Sequence, residues 1–547
     1  MGATRRQMLT ALLGAPAAAA CRARPGAFDA DLRFVDPPLR RGHQLRDPRP
    51  PDPRPPDPRP PDPRPPDPPA RPASAQVLVL GAGVSGLSAA WALQRSGVKD
   101  FVVLELDSAA GGTSLGGSSP LGGYPWGAHY LPAPRRAEQP ELVQLLDEMG
   151  LVSGERDGEP IYAEGARCAT PQERIFSGGR WQPGLVPTLG AAPGTEAAVR
   201  KFEARMEAFV ERIGEDGRRA FQLPVMASSE DPELLALDDL DFGRWLEQEG
   251  FRHPQVRWLA DYATRDDFGS RPEDTSAWFG IHYHAARIPA PGRPSAPFLT
   301  WPDGNYRLVR HLTQPLGPRL RTGQLVRRIR PHPSGRGAEV LASGPQGQAE
   351  LWRCERVIYA LPGFLEKHLL EGFGPSPEAL ETSAWLVANL HLGRRPREGN
   401  GFELAWDNVL ADSRSLGYVV ATHQLGPPRG PTTWTWYLPL VDAPPVEARK
   451  QLLALDARDA AELVLSDLER AHPDLRRCVE RIELRRWGHA MPRPAPGARR
   501  RSLLATAPRG VVHFAHSDRS GVGLFEEAFH HGVRAAREVQ RALASGP

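Results

Sequence analysis

The spacing of three glycines indicates a site for a phosphate-containing ligand. Gly81, Gly83 and Gly86 follow a short apolar run and precede apolar residues at helical spacing. In this order Gly81 permits a tight turn, Gly83 lets the backbone approach a pyrophosphate, and Gly86 lets the helix pack closely on the strand. The N–H groups of Val84 and Ser85, in the first helical turn, would then face the phosphates. These elements predict a dinucleotide-binding site.

A second apolar run, residues 101–104, ends in Glu105. This carboxylate follows Gly81 by 24 residues, and an acid near this spacing accepts hydrogen bonds from the adenosine ribose in such sites. There is no arginine beside it that would indicate binding of a 2′-phosphate. A strand before the glycines, a helix after them and an acid at the end of the next strand together predict a Rossmann-like turn rather than a chance glycine-rich loop.

The residues after Glu105 carry a resemblance to a known family. Five residues separate Glu105 from Gly111 and Gly112. This pattern resembles the extended motif of the flavin amine oxidase superfamily, which includes monoamine, polyamine and L-amino-acid oxidases, phytoene desaturases and protoporphyrinogen oxidase. In that family the motif binds FAD, although arginines often flank the Gly-Gly pair where Ala110 and Thr113 stand here. The resemblance implies FAD contacts at Gly111, Gly112 and Thr113.

Three later stretches are similar to the same family. Residues 302–306 resemble its turn back into the FAD domain, and residues 511–515 resemble a strand that precedes its last FAD motif. The acid that usually follows this strand stands one place late, at Asp518. Residues 324–329 look like the strand whose backbone, near Val326, meets the adenine. The further FAD contacts that the resemblance implies are Val326, Asp518, Phe525 and Glu526.

The resemblance also implies a fold and a division of the chain. The expected fold class is α/β, with an FAD-binding Rossmann-like domain of the glutathione reductase type and an inserted α+β substrate domain. The FAD-binding segments would be residues 76–130, 301–372 and 486–547, and the substrate-domain segments would be residues 131–300 and 373–485.

Four residues are candidates for the reacting side of the site. By resemblance, His129 lies near the reactive edge of the flavin, and Trp487 stands where the family often supplies an aromatic wall. Many members hold a water against flavin N5 with a lysine, but the corresponding strand, residues 385–392, has none. Asn389 or His391 would hold the water instead. The electron acceptor is therefore left open between oxygen and a quinone.

The sequence limits the cofactors and partners. The nearest cysteine upstream of the last FAD motif, Cys478, precedes Trp487, so non-covalent FAD is expected. No second G-x-G-x-x-G follows a strand after Thr113, which disfavours a pyridine nucleotide and makes the substrate the electron donor. Cysteine spacing indicates no metal site. The charges, 68 basic against 65 acidic residues, form no basic block for nucleic acid.

The predicted reaction moves a hydride from a substrate carbon, most plausibly one that bears nitrogen, to flavin N5. The substrate would be an amine, such as a polyamine or an amino-acid-like molecule. Two alternatives remain open: a desaturase or isomerase of an apolar polyene, and a non-catalytic surface lipoprotein that binds FAD. Near the substrate side, Arg265 and Asp266 are interpreted as an ion pair that caps a helix.

The first 75 residues predict export and a linker. Arg5 and Arg6 precede an apolar stretch, so residues 1–21 resemble a twin-arginine signal peptide. Its Ala-rich end at Cys21 resembles a lipoprotein cleavage box, although an ordinary cleavage site is the alternative. A periplasmic or membrane-anchored protein is expected. Residues 22–75 are predicted to be a disordered proline-rich linker with four Asp-Pro-Arg-Pro-Pro repeats. The linker would either be a spacer between the body and a membrane anchor or have no function.

Overall fold

The computed structural model describes residues 30–45, 70–286, 298–399, 401–426 and 429–545. The predicted signal peptide, the lipidation site at Cys21 and the repeats lie outside these ranges, so their assignments stay predictions. In the part of the chain that is described, no helix is both long and apolar enough to span a bilayer.

A five-stranded parallel sheet forms the centre of one half of the molecule. Its innermost strand, Val77–Leu80, is buried on both faces, which explains why this sequence is a continuous apolar run rather than an alternating one. The helix Val84–Arg95 packs against both this sheet and the long C-terminal helix Phe525–Ala544. In spatial order the strands of the parallel sheet are Leu320–Arg321, Phe101–Leu104, Val77–Leu80, Arg356–Tyr359 and Val512–Phe514.

An eight-stranded mixed sheet forms the other half. Its central strands alternate between two environments, as the period of two requires. Leu386 and Trp434 face the helices Pro445–Ala454 and Ala457–Leu468, whereas Val387 and Tyr437 belong to the apolar cluster on the opposite face. In spatial order its strands are Asp31–Phe34, Val479–Trp487, Trp385–Leu392, Thr432–Pro439, Tyr418–Val420, Asp407–Leu410, Glu173–Ser177 and Arg180–Pro183.

Smaller sheets and a helical layer complete the fold. A four-stranded sheet has the order Leu325–Pro331, Ala338–Ser343, Ala349–Cys354 and Ala70–Ser74. Two-stranded pairs join Tyr130–Pro132 to Phe298–Thr300, Gly116–Ser119 to Gly122–Pro125, Val152–Arg156 to Glu159–Tyr162, and Glu381–Thr382 to Pro492–Arg493. The other α-helices are Leu39–His43, Pro140–Glu148, Thr195–Glu211, Pro232–Ala236, Phe242–Gln248, Pro254–Phe268, Ala277–Ala285, Tyr306–Thr313, Glu366–Leu369 and Ala498–Ala505. The combination of a parallel sheet with an inserted mixed α+β region confirms the predicted fold class.

One predicted boundary differs from the structure. The division between residues 485 and 486 falls inside the strand Val479–Trp487, which belongs entirely to the eight-stranded sheet. Trp487 therefore reaches the reacting side from the substrate half of the molecule.

The prediction that residues 22–75 are a disordered linker is wrong for the residues described. Asp31–Phe34 pairs in parallel with residues 481–484 of the eight-stranded sheet, and Ala70–Ser74 pairs with residues 349–353. Leu32 and Phe34 pack on the core of that sheet. Burial of the apolar side chains of this short strand stabilises its docking, although the sequence around it is rich in proline. Because the chain docks both before and after the repeats, they join two segments of one body rather than separating the body from an anchor.

Removal of the N-terminal strand should lower stability. Asp36 accepts a hydrogen bond from Arg486 Nε at 2.9 Å, and the guanidinium of Arg33 pairs with buried Glu483. A protein that lacks residues 1–36 should therefore lose on the order of 2 kcal/mol of unfolding free energy, measured by thermal denaturation. The matched control lacks only residues 1–29 and keeps the strand. Equal melting temperatures for both truncations would contradict the docking.

Candidate active site

The glycine turn has the geometry that a bound pyrophosphate needs. Gly81 has φ +95°, and a Cβ there would lie 2.8 Å from the carbonyl oxygen of Ala360. A Cβ on Gly86 would lie 1.8 Å from the carbonyl oxygen of Gly81, whereas one on Gly83 meets no atom within 4 Å. The helix has no side-chain cap at Gly83, so the N–H groups of its first turn, at Val84 and Ser85, are available to phosphate.

Glu105 joins the first two strands of this site. Its Oε2 accepts a hydrogen bond from the Ala82 N–H at 2.7 Å, and its Oε1 accepts one from the Asp107 N–H at 2.8 Å. Burial raises the pKa of this carboxyl group. Each oxygen keeps acceptor capacity for a second donor, which is compatible with the predicted ribose contact.

The Gly-Gly pair packs directly on the glycine turn. The Gly111 N–H donates to the Ala82 carbonyl at 2.9 Å, and a Cβ on Gly112, where φ is +56°, would lie 3.3 Å from the Gly83 Cα. Thr113 follows at the wall of a cavity between the two halves of the molecule. The extended motif is therefore one continuous surface around the space beside Gly83.

The later motifs take different places. Phe525 and Glu526 line the cavity at the start of the last helix. Asp518 lies outside this lining, and its Oδ2 accepts a hydrogen bond from the Gly363 N–H at 2.6 Å. Val326 is buried in the cluster between the parallel and four-stranded sheets.

A cavity of about 950 Å³, including space open to solvent, separates the two halves of the molecule. Aromatic side chains form much of its wall. Among the residues described, its lining contains carboxylates but no lysine or arginine. The aromatic members are Tyr130, Tyr262, Trp385, Tyr437, Trp487 and Phe525, and the carboxylates are Asp266, Asp267, Asp407 and Glu526.

His129 lies in this cavity as a neutral base. Its Nδ1 donates to the Gly127 carbonyl at 3.1 Å, since a carbonyl oxygen can only accept. Its ring stacks on Tyr437 with centroids 4.9 Å apart. Burial lowers the pKa of His129 to about 4, so at neutral pH Nε2 carries a lone pair.

Trp487 also lines the cavity. Its Nε1 donates to the Trp126 carbonyl at 2.7 Å, and the Arg485 guanidinium lies 4.3 Å from its ring centroid. These contacts fix the indole as a rigid wall.

The structure gives Asn389 and His391 other partners than the cavity, and their role beside flavin N5 stays a prediction. The Asn389 amide donates to the Pro125 carbonyl at 3.1 Å, and His391 Nε2 lies 3.1 Å from Glu483 Oε2. Asn389 thus contacts the hairpin of residues 116–125 through Pro125, and the His391 ring contacts the ring of Tyr124 in the same hairpin. Neither residue belongs to the cavity lining. The residues of this strand that reach the cavity are Trp385 and Val387.

The predicted ion pair of Arg265 with Asp266 is wrong. Arg265 Nε donates to Asp261 at 2.8 Å, one helical turn away, and its Nη1 donates to the Arg414 carbonyl. Asp266 instead faces the cavity.

Two neighbouring carboxyl groups, one of them in the cavity wall, could not be found from the sequence. Glu173 and Asp407 are aligned partners on neighbouring parallel strands. Burial raises the pKa of Glu173 to about 7. Burial, followed by the charges of Glu173 and Asp266, raises the pKa of Asp407 well above its usual range. The sequence signal was slight, since an acid at the start of an aromatic strand is ordinary and the two positions are 234 residues apart in the chain.

The family follows from a comparison with known proteins. Residues 84–540 match the family described as flavin containing amine oxidoreductase. The chain belongs to this family, and its cofactor is FAD. The three described cysteines, Cys168, Cys354 and Cys478, all lie outside the cavity lining, in agreement with non-covalent binding.

Individual proteins agree with this assignment. A Mycobacterium tuberculosis protein named flavin-containing monoamine oxidase AofH is 27% identical over 302 residues, which are 53% of this chain and 58% of that protein. The match thus covers less than two thirds of the relative's length. A putrescine oxidase structure with bound putrescine has a TM-score of 0.62 and 18% identity, covering 86% of this chain and 99% of that one. Cyclohexylamine oxidase from Brevibacterium oxydans has a TM-score of 0.61 and 16% identity, with the same coverage. These two structures share the fold.

Proposed function

We propose that this protein oxidises an amine with FAD. The observation that carries the proposal is the cavity, whose described lining combines aromatic rings with four carboxylates and includes no lysine or arginine. Carboxylates attract an ammonium ion during entry, and aromatic faces favour a cation by cation–π attraction. The amine oxidases named above share the fold, which raises the expectation without defining the substrate.

The same lining distinguishes among the substrates that the sequence left open. An amino acid carries a carboxylate that a site usually holds with arginine or lysine, and the described lining offers neither. An apolar polyene would leave Asp266, Asp407 and Glu526 in contact with hydrocarbon, at a high cost in desolvation. We therefore favour an amine that bears no carboxylate.

The chain's own residues suit such a substrate. Oxidation requires the neutral nitrogen, and exclusion of water at the reacting end of the cavity favours that form. His129 Nε2 would accept a hydrogen bond from an amine N–H and so orient the substrate nitrogen. Trp487, fixed by its bond to the Trp126 carbonyl, and Tyr437 would limit the position of the reacting carbon and exclude water.

The overall reaction balances with a named acceptor. The carbon next to nitrogen loses a hydride and the nitrogen loses a proton, which leaves an imine. FAD, when bound, supplies the two-electron acceptor at this step. The electrons then pass to oxygen or to a quinone, giving hydrogen peroxide or a hydroquinone.

The test is an anaerobic substrate panel on the purified holoprotein. Alkylamines and diamines should bleach the visible absorbance of the flavin, and amino acids of matched chain length should not. A protein that is photoreduced but is bleached by no amine would contradict the enzyme proposal and favour the alternative of a non-catalytic FAD-binding protein. Bleaching by a polyene alone would favour a desaturase.

The proposed location is the periplasm or the outer face of a membrane, with Cys21 as a lipid anchor. The support is the Arg5-Arg6 pair and the Ala-rich box that ends at Cys21. Fractionation of cells that express the protein with both arginines changed to lysine tests this. Normal export of that variant would remove the proposal.

A further inference from the structure

A carboxyl group of the cavity wall, Asp407, has a second carboxyl group aligned with it on the neighbouring strand. Glu173 and Asp407 are direct partners on neighbouring parallel strands, so their side chains leave the same face of the sheet about 5 Å apart. The next aligned pair, Ile175 and Val409, lies in the apolar cluster on the cavity face of the eight-stranded sheet. Asp407 itself lines the cavity.

Within the described residues, the protein supplies no cation to this pair. Neither Glu173 nor Asp407 takes part in a salt bridge, although the Asn408 N–H contacts Asp407. Arg174 directly follows Glu173 but lies on the opposite face of the sheet, where its Nε donates to Asn408 Oδ1 at 2.5 Å. Like charges placed opposite each other in a sheet are destabilising, so a cation at this place would be stabilising.

The elements that face the pair add acid and hydrogen-bonding groups. Asp266, from the helix Pro254–Phe268, lines the same cavity and acts on Asp407 as a further negative charge. Among the residues that the structure describes, the hydroxyl of Tyr437, a residue only 5% exposed, has no hydrogen-bond partner of normal geometry, and it lies in the same wall. A buried hydroxyl without a partner costs free energy, which a bound donor would recover.

We propose that Asp407, Asp266 and the Tyr437 hydroxyl, with Glu173 as a further negative charge beside Asp407, form a subsite for the second ammonium group of a diamine or polyamine. This inference rests on the proposed amine oxidation. The ammonium would donate hydrogen bonds to Asp407, Asp266 and the tyrosine oxygen, while the other end of the molecule lies beside His129 and Trp487. The subsite makes the enzyme selective for dications over simple alkylamines of equal length.

The experiment compares two matched series of substrates. Putrescine, cadaverine and hexamethylenediamine are compared with n-butylamine, n-pentylamine and n-hexylamine in anaerobic flavin reduction, and apparent Kd values are taken from the concentration dependence. We expect the best diamine to bind about 10-fold or more tightly than its alkylamine, as one extra charge-assisted pair predicts. Calorimetric titration of putrescine into the oxidised holoprotein gives a second readout that does not depend on turnover.

The variants are Asp407→Asn and Glu173→Gln, which remove like-charge repulsion and should therefore fold. Asp407→Asn should reduce the diamine preference to near one, and Glu173→Gln, which removes a charge beside Asp407, should lower it. Asp412→Asn is the control, because this carboxylate is 83% exposed and lies just beyond the same strand; it should keep the preference. FAD content and melting temperature verify each variant.

The outcomes separate the two proposals. Equal affinity for both series in the wild type, or an unchanged preference in both variants, overturns the subsite while amine oxidation stands. No bleaching by either series overturns both.

Discussion

We expect a Gly83→Val protein to fold normally and to retain almost no FAD. Gly83 has φ −71° and ψ −178°, which any residue can adopt, and an added Cβ meets no atom within 4 Å. The branched side chain would occupy the space in which a pyrophosphate approaches the backbone. Apparent affinity for FAD should fall at least about 100-fold, or about 2.8 kcal/mol, measured as flavin retained through gel filtration.

Two further glycines make this prediction specific. Gly165→Val is the matched control, because that glycine also has open space around it and lies away from the dinucleotide turn; it should keep its FAD. Gly86→Val should instead fail to fold, because its Cβ would lie 1.8 Å from the Gly81 carbonyl oxygen. A folded, fully yellow Gly83→Val protein would contradict the assignment of the turn.

The dinucleotide site could be predicted because its signals are local. A strand, the glycine turn, a helix and the acid at Glu105 lie within 30 residues, and each glycine has a conformational reason for its position. The family resemblance predicted Gly111 at the same site, and the structure shows its N–H bonded to the Ala82 carbonyl. Such short-range patterns do not depend on how distant segments meet.

The parts that sequence reasoning missed depend on register and depth. Trp385, Val387, Asn389 and His391 share one strand face, so alternation alone could not tell which of them reach the cavity; the hairpin of residues 116–125 covers the second pair. The alignment of Glu173 with Asp407 joins strands far apart in the chain. The docking of Asp31–Phe34 was hidden by the prolines that follow it.

The residues that the strand Trp385–Leu392 presents to the cavity give a reason to expect an electron acceptor other than oxygen. Val387, not Asn389, is the residue of this strand that faces the cavity beside Trp385. The cavity wall described here therefore has no fixed cation, and its charged side chains are acids. Electron transfer to oxygen develops negative charge on oxygen, which a cation would stabilise and carboxylates oppose.

Reoxidation of the substrate-reduced protein by oxygen should therefore be slow. In a stopped-flow experiment, we expect a neutral quinone analogue to reoxidise the flavin at least about 10-fold faster than oxygenated buffer, since its reduction takes up protons together with electrons. A Val387→Lys variant should raise the oxygen rate by roughly 10-fold or more, because the nearby carboxylates keep the new ammonium charged. Val387→Met, of similar length without charge, should leave the rate unchanged. Rapid reoxidation of the wild type by oxygen, with one hydrogen peroxide formed per substrate lost, would instead make this protein an ordinary oxidase.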